Sequence, residues 1–188
     1  MPNTDRALFA VSPARDTDSA ALASLAALTF PLACPPAVTE EEAAEFAARM
    51  LSEDAFAGFA ADPARRVLVA RADPGLVGYA LLVLEPPADP QIRAALEGLP
   101  GPTAELSKFY THPAAHGRGV ASGLMTAVLE TAEEAGMGTV WLGVNGMNLR
   151  AQAFYRKSGF SVVGRKQFSL GPHLFDDLVF ARSVISAG

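Results

Sequence analysis

The sequence predicts a mixed α/β protein: a partly parallel sheet with helices on its faces. Two observations predict it. The second half reads strand, helix, strand, helix, and such alternation builds parallel pairs joined by crossovers. The first half holds two β-rich runs, 66–71 and 77–84, separated by Ala72-Asp73-Pro74-Gly75, strong turn chemistry that reads as a hairpin. The chain has 188 residues, the size of one domain, and half of them are hydrophobic, enough for a sizeable core.

The elements follow in order. Residues 8–11 are a short apolar run, read as a first strand. Asp16 or Thr17 caps a helix through Ala27, with Ala20, Ala21, Leu22, Leu25 and Leu28 as its apolar stripe. Phe30-Pro31-Leu32-Ala33-Cys34-Pro35-Pro36 is expected to break it. Thr39-Glu40-Glu41-Glu42 reads as an N-cap with acids in the first turn, where the helix dipole favours them. That helix continues through Phe46, Met50 and Leu51. After the hairpin, residues 86–102 are rich in Pro and Gly and read as a surface insertion with a short helix around 92–97. Residues 105–111 form a strand closed by His112-Pro113. A helix over 120–135 follows Gly117-Arg118-Gly119, with Leu124, Val128 and Leu129 on one face and Gly136 as C-cap. Residues 139–144 are a strand, and 149–157 a helix ended by Gly159. Two last strands lie near 160–170 and 174–181.

Composition excludes several classes. The net charge of -5 argues against a nucleic-acid binder, because phosphate contacts need clustered Lys and Arg. No apolar run approaches the roughly 18–20 residues of a membrane span. The single cysteine, Cys34, allows neither an intramolecular disulfide nor a cysteine-based metal site, which suits a reducing cytosol. The first residues lack a basic region followed by an apolar run, so no signal peptide is expected. The expected location is cytoplasmic.

The chemistry concentrates at His116-Gly117-Arg118-Gly119-Val120-Ala121, between a strand and a helix. Two glycines let the backbone turn tightly and approach a ligand. The helix start offers unpaired amides and partial positive charge, a ready site for a pyrophosphate. Arg118 can add charge there. Taken alone, the segment also suits an ordinary strand-to-helix turn. It is neither a dinucleotide fingerprint nor a P-loop, since the three-glycine spacing and a Gly-Lys-Ser/Thr are both missing.

The wider context adds a resemblance. The run Glu105-Leu106-Ser107-Lys108-Phe109-Tyr110-Thr111-His112-Pro113, followed by His116 to Ala121, resembles the core motif of the GNAT N-acetyltransferases, written Gln/Arg-x-x-Gly-x-Gly/Ala. A second core motif also matches: Val144, then Asn148-x-x-Ala151-x-x-Phe154-Tyr155, then Ser158-Gly159-Phe160. One departure stands out, His116 in place of Gln or Arg; its backbone amide can still serve a phosphate. The pieces Glu105-Leu106-Ser107-Lys108-Phe109-Tyr110, Trp141-Leu142-Gly143-Val144 and Val163-Gly164-x-x-x-Phe168-x-x-Gly171 are similar to PaiA-type bacterial polyamine acetyltransferases.

The resemblance implies a single domain over 1–188 with an acetyl-CoA-binding core at 105–160. It implies a twisted sheet of about six to seven strands flanked by about four helices and splayed between its two central parallel strands. Acetyl-CoA would be the cosubstrate, with no metal. Backbone groups of Phe109, Tyr110 and Thr111 would bond its pantetheine arm, and the amide near Tyr110 would serve the oxyanion. His116, Gly117, Arg118, Gly119, Val120 and Ala121 would hold the pyrophosphate. Tyr155 would protonate the leaving thiolate, and Glu105 would act as general base through a water, with Glu85 as second candidate. Asn148 would bond the cofactor, cap the helix after it, or both. The acceptor would be a small-molecule primary amine, first of all a polyamine, acetylated directly in a ternary complex. Alternatives are a protein N-terminus, a lysine, an antibiotic amine, or a CoA-binding sensor without chemistry. A homodimer is the expected assembly.

Other chemical side chains read as structural. His112 and His173 sit at turns, the three histidines are too dispersed for a metal, Cys34 is a proline-flanked loop thiol, and Trp141 is packing.

Overall fold

The computed structural model describes residues 9–185. Seven strands form one mixed sheet: β1 (Ala10–Pro13), β2 (Arg65–Ala72), β3 (Gly75–Val83), β4 (Thr103–Thr111), β5 (Thr139–Asn145), β6 (Ser161–Leu170) and β7 (His173–Ser183). Their order is β1-β2-β3-β4-β5-β7-β6. Among the described residues only the β4–β5 pair is parallel. They are joined by α5 (Val120–Glu134), as a parallel pair requires a crossover. The expected hairpin is β2–β3. Leu8, expected in the first strand, lies outside the described residues.

Alternating side chains give the sheet two apolar faces. On one, Leu68, Ala80, Leu82, Leu106, Leu142 and Phe180 pack against Leu124, Met125 and Val128 of α5 and Tyr155 of α6 (Leu149–Lys157). On the other, Val67, Val69, Tyr79 and Leu81 pack against three N-terminal helices, α1 (Ser19–Ala33), α2 (Glu40–Met50) and α3 (Glu53–Ala61). The 86–102 insertion carries α4 (Pro90–Ala95), which sets Ile92 and Leu96 over Trp141, Val179 and Ala181.

Two helices differ from expectation. α1 starts at Ser19, after a 3₁₀ turn at Asp16–Asp18, and runs through Pro31 to Ala33. Asp18 is its cap residue, but the carboxylate is taken up elsewhere: it accepts from the Arg15 amide at 2.6 Å and from the Arg71 guanidinium at 2.9 Å. That guanidinium holds the Asp18 carboxyl below the usual range. A proline this near a helix end removes one ladder bond without ending the helix. Packing fixes the turn instead, since the buried Phe30 ring stacks on Phe46 at 4.8 Å. α3 has no counterpart among the expected helices, although its signals are present: Ser52 accepts from the Ala55 amide at 3.2 Å, and Glu53 and Asp54 follow. With α3 and the short α4, six α-helices flank the sheet among the described residues, where about four are expected.

The insertion returns against the start of β5. Gly138 donates to the Pro102 carbonyl at 2.8 Å, and the Thr139 hydroxyl to that of Pro100 at 2.8 Å. A Cβ on Gly138 would stand 2.3 Å from the Pro100 oxygen and 2.6 Å from the Gly101 Cα, both backbone atoms that cannot step aside. Gly138→Ala is therefore expected to destabilise the fold by about 1–3 kcal/mol, the usual cost of overpacking. A thermal melt checks it, and an unshifted midpoint would mean the insertion is loosely held. No helix among the described residues is long and apolar enough to cross a membrane.

Candidate active site

β4 and β5 pair over only three positions, Thr103–Thr139, Ala104–Val140 and Glu105–Trp141. Beyond these both strands continue without bonding each other. This is the expected splay. A bulge contributes to it: Leu106 faces Leu82 and Lys108 faces Leu81, leaving Ser107 unpaired, and bulges bend a strand. On its far side β4 stays bonded to β3. His112 donates to the Val77 carbonyl at 2.8 Å, so antiparallel alternation turns the polar groups of Tyr110 toward β3. The N–H and C=O groups of Phe109 and Thr111 then face the gap. The amide available near Tyr110 belongs to these neighbours rather than to Tyr110.

Past β4 the chain turns through Gly117 (φ +76°) and Gly119 (φ +79°), the left-handed region that glycine alone enters freely. The α5 ladder begins with Gly123 donating to Gly119 at 2.9 Å, so the first-turn amides of Val120, Ala121 and Ser122 are left over by the helix. A Cβ at Gly119 would meet nothing within 4 Å, so the space above the loop is open. The amides of His116 and Arg118 are engaged, donating to Pro113 and Ala115 at 3.1 and 3.3 Å. His116 Nδ1 lies 3.0 Å from Arg150, which has no acceptor, so this nitrogen accepts and carries no proton. Burial and the neighbouring guanidinium hold the imidazole below its ordinary pKa.

These elements enclose a cleft of ≈ 550 Å³ whose lining includes Phe109, Tyr110, Thr111, His116, Gly117, Gly119, Val120 and Ala121. Arg118 is exposed and stands outside that lining. Arg150 and Lys157 line it instead. The sequence carried a signal for this pair: seven residues apart, they share one helix face.

A second cavity of ≈ 320 Å³ opens on the α1–α2 side of the sheet. It holds Glu105, Lys108, Lys166 and Asp177, with Phe30, Phe46 and Phe168 as aromatic wall. The two cavities share Ala33, Phe109, Tyr110, Asn148, Ala151 and Tyr155. Asn148 caps α6, accepting from the Ala151 amide at 3.0 Å, and so stays aimed at this junction. Tyr155 is 9% exposed, its ring between Phe109, Phe154, Phe160 and Phe180 at centroid distances of 5.5 to 6.3 Å. Burial, and then nearby Tyr110, raise the phenol pKa, so the hydroxyl rests protonated.

The remaining candidates lie apart. Glu85 sits beyond β3, outside both cavity linings. His112 accepts from the Ala114 amide at 3.1 Å, and His173 pairs with Glu42 at 3.2 Å. Cys34 lines the second cavity, but burial raises its pKa and keeps it a thiol. Trp141 is buried beneath α4. Among the described residues no group of three or more His, Cys, Asp or Glu is placed to hold a metal.

The sequence pattern of the Acetyltransferase (GNAT) family matches residues 29–160. The chain belongs to the GNAT acetyltransferase family. Uncharacterised N-acetyltransferases of Mycobacterium tuberculosis and Mycobacterium bovis are 45% identical to this GNAT enzyme over 169 residues, 90% of this chain and 99% of each relative. Its fold is shared by the PaiA N-acetyltransferase of Thermoplasma acidophilum in complex with coenzyme A (TM-score 0.73, 17% identity, 93% of this chain and 98% of that one). It is shared too by YncA of Salmonella typhimurium, a putative acetyltransferase with acetyl-CoA (TM-score 0.69, 17% identity, 96% of each chain).

Proposed function

We propose that this GNAT enzyme moves an acetyl group from acetyl-CoA to the primary amine of a small molecule, directly, in a ternary complex. The observation that carries the reading is the junction of the two cavities at Tyr155. One cavity offers an open glycine loop, free helix amides and an unbonded strand edge, which suit a pyrophosphate and an amide-bearing arm. The other approaches the same point from the opposite side and suits the acceptor.

The residues take these roles. The edge groups of Phe109 and Thr111 bond the arm, and Gly117, Gly119, Val120 and Ala121 receive the pyrophosphate, with Arg150, Lys157 and His116 beside it. An ammonium has no lone pair, and a free alkyl amine stays protonated to about pH 10.4. Glu105, facing the acceptor cavity, takes that proton through a water. The Phe109 or Thr111 amide meets the oxyanion, and Tyr155 protonates the departing thiolate.

Polyamines are the first acceptors to test, on the likeness of Val163-Gly164-x-x-x-Phe168-x-x-Gly171 to PaiA-type sequences. A protein terminus, a lysine or an antibiotic amine would reach the same junction. A CoA sensor would have no use for a positioned phenol and carboxylate. The cytosol as location and a homodimer as assembly are part of this proposal.

Calorimetry with acetyl-CoA, followed by thiol release over a panel of primary amines, tests the reading. Binding with saturable release on one amine supports it, and binding without release on any amine favours the sensor. No binding at all would overturn it.

A further inference from the structure

The acceptor cavity carries charges of both signs, and two of them are built into its floor. Lys166 on β6 stands opposite Asp177 on β7, and Asp177 stands opposite Asn145 on β5, so all three share one face of the sheet. Asp177 is 7% exposed, lines the cavity, and its Oδ1 has no hydrogen-bond partner. Buried polar atoms are nearly always partnered, so an orphaned carboxyl oxygen in a cavity wall points to a donor that arrives with a ligand. Burial holds this carboxyl above its ordinary pKa, and Lys166 opposes that.

Lys166 lies along the floor over Gly143. A Cβ there would stand 2.2 Å from its Cε and 2.9 Å from its Nζ, so the bare glycine makes room for the side chain. The ammonium stands 5.7 Å from the Trp141 ring centroid. It joins none of the ion pairs among the described residues, nor does Lys108, Glu105 or Asp177. Around the cavity, Glu105 and Lys108 from β4, Lys166 from β6 and Asp177 from β7 cancel in sign. A polycation would meet two ammonium groups here. A molecule carrying an acid and an amine at one end would meet one partner for each.

Resting on the acetyl-transfer reading but replacing a polyamine as its first acceptor, we propose that the acceptor is an α-amino acid whose side chain ends in a primary amine. Its α-carboxylate binds Lys166 and its α-ammonium binds Asp177. Its methylene chain lies against Phe30, Phe46 and Phe168, and the side-chain amine reaches the junction at Tyr155. There the side-chain ammonium gives a proton through water to Glu105, and the nitrogen lone pair attacks the thioester carbonyl carbon. The C–N bond forms and the C–S bond breaks. The thiolate takes the proton of Tyr155, the nitrogen's second proton restores the Tyr155 hydroxyl through water, and Glu105 releases the first proton to solvent. Overall, ammonium and acetyl-CoA give acetamide, CoA thiol and one released proton.

The test is thiol release with lysine, ornithine, cadaverine, 6-aminohexanoate and spermidine. Cadaverine is lysine without the carboxylate, and 6-aminohexanoate is lysine without the α-amine. Lysine or ornithine is expected to exceed both in kcat/KM by about tenfold or more, the usual worth of a charge-assisted hydrogen bond. Lys166→Met should reduce the preference for lysine over cadaverine by about ten- to a hundredfold. Asp177→Asn should do the same to the preference over 6-aminohexanoate. Because Asp177 is buried and its variant can fail to fold, Lys166→Met carries the test, with acetyl-CoA calorimetry as the check on folding. Cadaverine or spermidine outrunning lysine, or a lysine preference that survives Lys166→Met, overturns the assignment and leaves acetyl transfer standing. If none of these five amines releases thiol while acetyl-CoA still binds, the amino-acid assignment is overturned, and the wider amine panel decides whether acetyl transfer stands.

Discussion

Tyr155→Phe is expected to lower turnover by about 10²–10⁴-fold, the range for loss of a general acid or base, while acetyl-CoA affinity stays near that of the parent. The ring is what packs against Phe109, Phe154, Phe160 and Phe180, and phenylalanine keeps it. Only the hydroxyl is lost, at the point where the two cavities meet. A thiolate leaving without a proton donor is the poorer leaving group, so the defect belongs in kcat. Thiol release at saturating substrates reads turnover, and calorimetry reads affinity. An unchanged kcat would take Tyr155 out of the mechanism and return it to the core.

Gly119→Glu should abolish acetyl-CoA binding, with Gly119→Ala as its control. Alanine meets no atom within 4 Å at this position, so it feels only the left-handed backbone, at a cost of about 1–2 kcal/mol. Glutamate feels the same strain and adds a carboxylate where the pyrophosphate is to lie. Like charges in contact cost several kcal/mol, hence an affinity loss beyond about a hundredfold. Calorimetry on both variants, with a thermal melt to show that each folds, separates charge from strain. Normal affinity in folded Gly119→Glu would place the pyrophosphate elsewhere.

The elements proposed to hold the cofactor were legible in the sequence because they are local. The strand, glycine loop and helix from Thr103 to Glu134 are contiguous, and Asn148 to Gly159 form one helix with its caps. The cavity proposed for the acceptor was not legible, because long-range pairing assembles it. Lys166 and Asp177 are eleven residues apart and meet only because β6 and β7 form a hairpin. They face Glu105 only because β7 inserts between β5 and β6. The extension of α1 was hidden for a similar reason: Pro31 signals a break locally, and the Phe30–Phe46 stack that overrides it depends on a second helix. Arg150 and Lys157 were masked by the more conspicuous Arg118 beside the glycines.

The three-position contact between β4 and β5 has a mechanical consequence. Past that seam the sheet is two slabs, β1–β4 on one side and β5–β7–β6 on the other, and the rungs that would tie them are missing. Under the proposed reading, a substrate arm laid into the slot would supply rungs that the chain does not. The rigidity of the molecule would then follow the concentration of acetyl-CoA, since a ligand that binds only the folded form stabilises it by mass action.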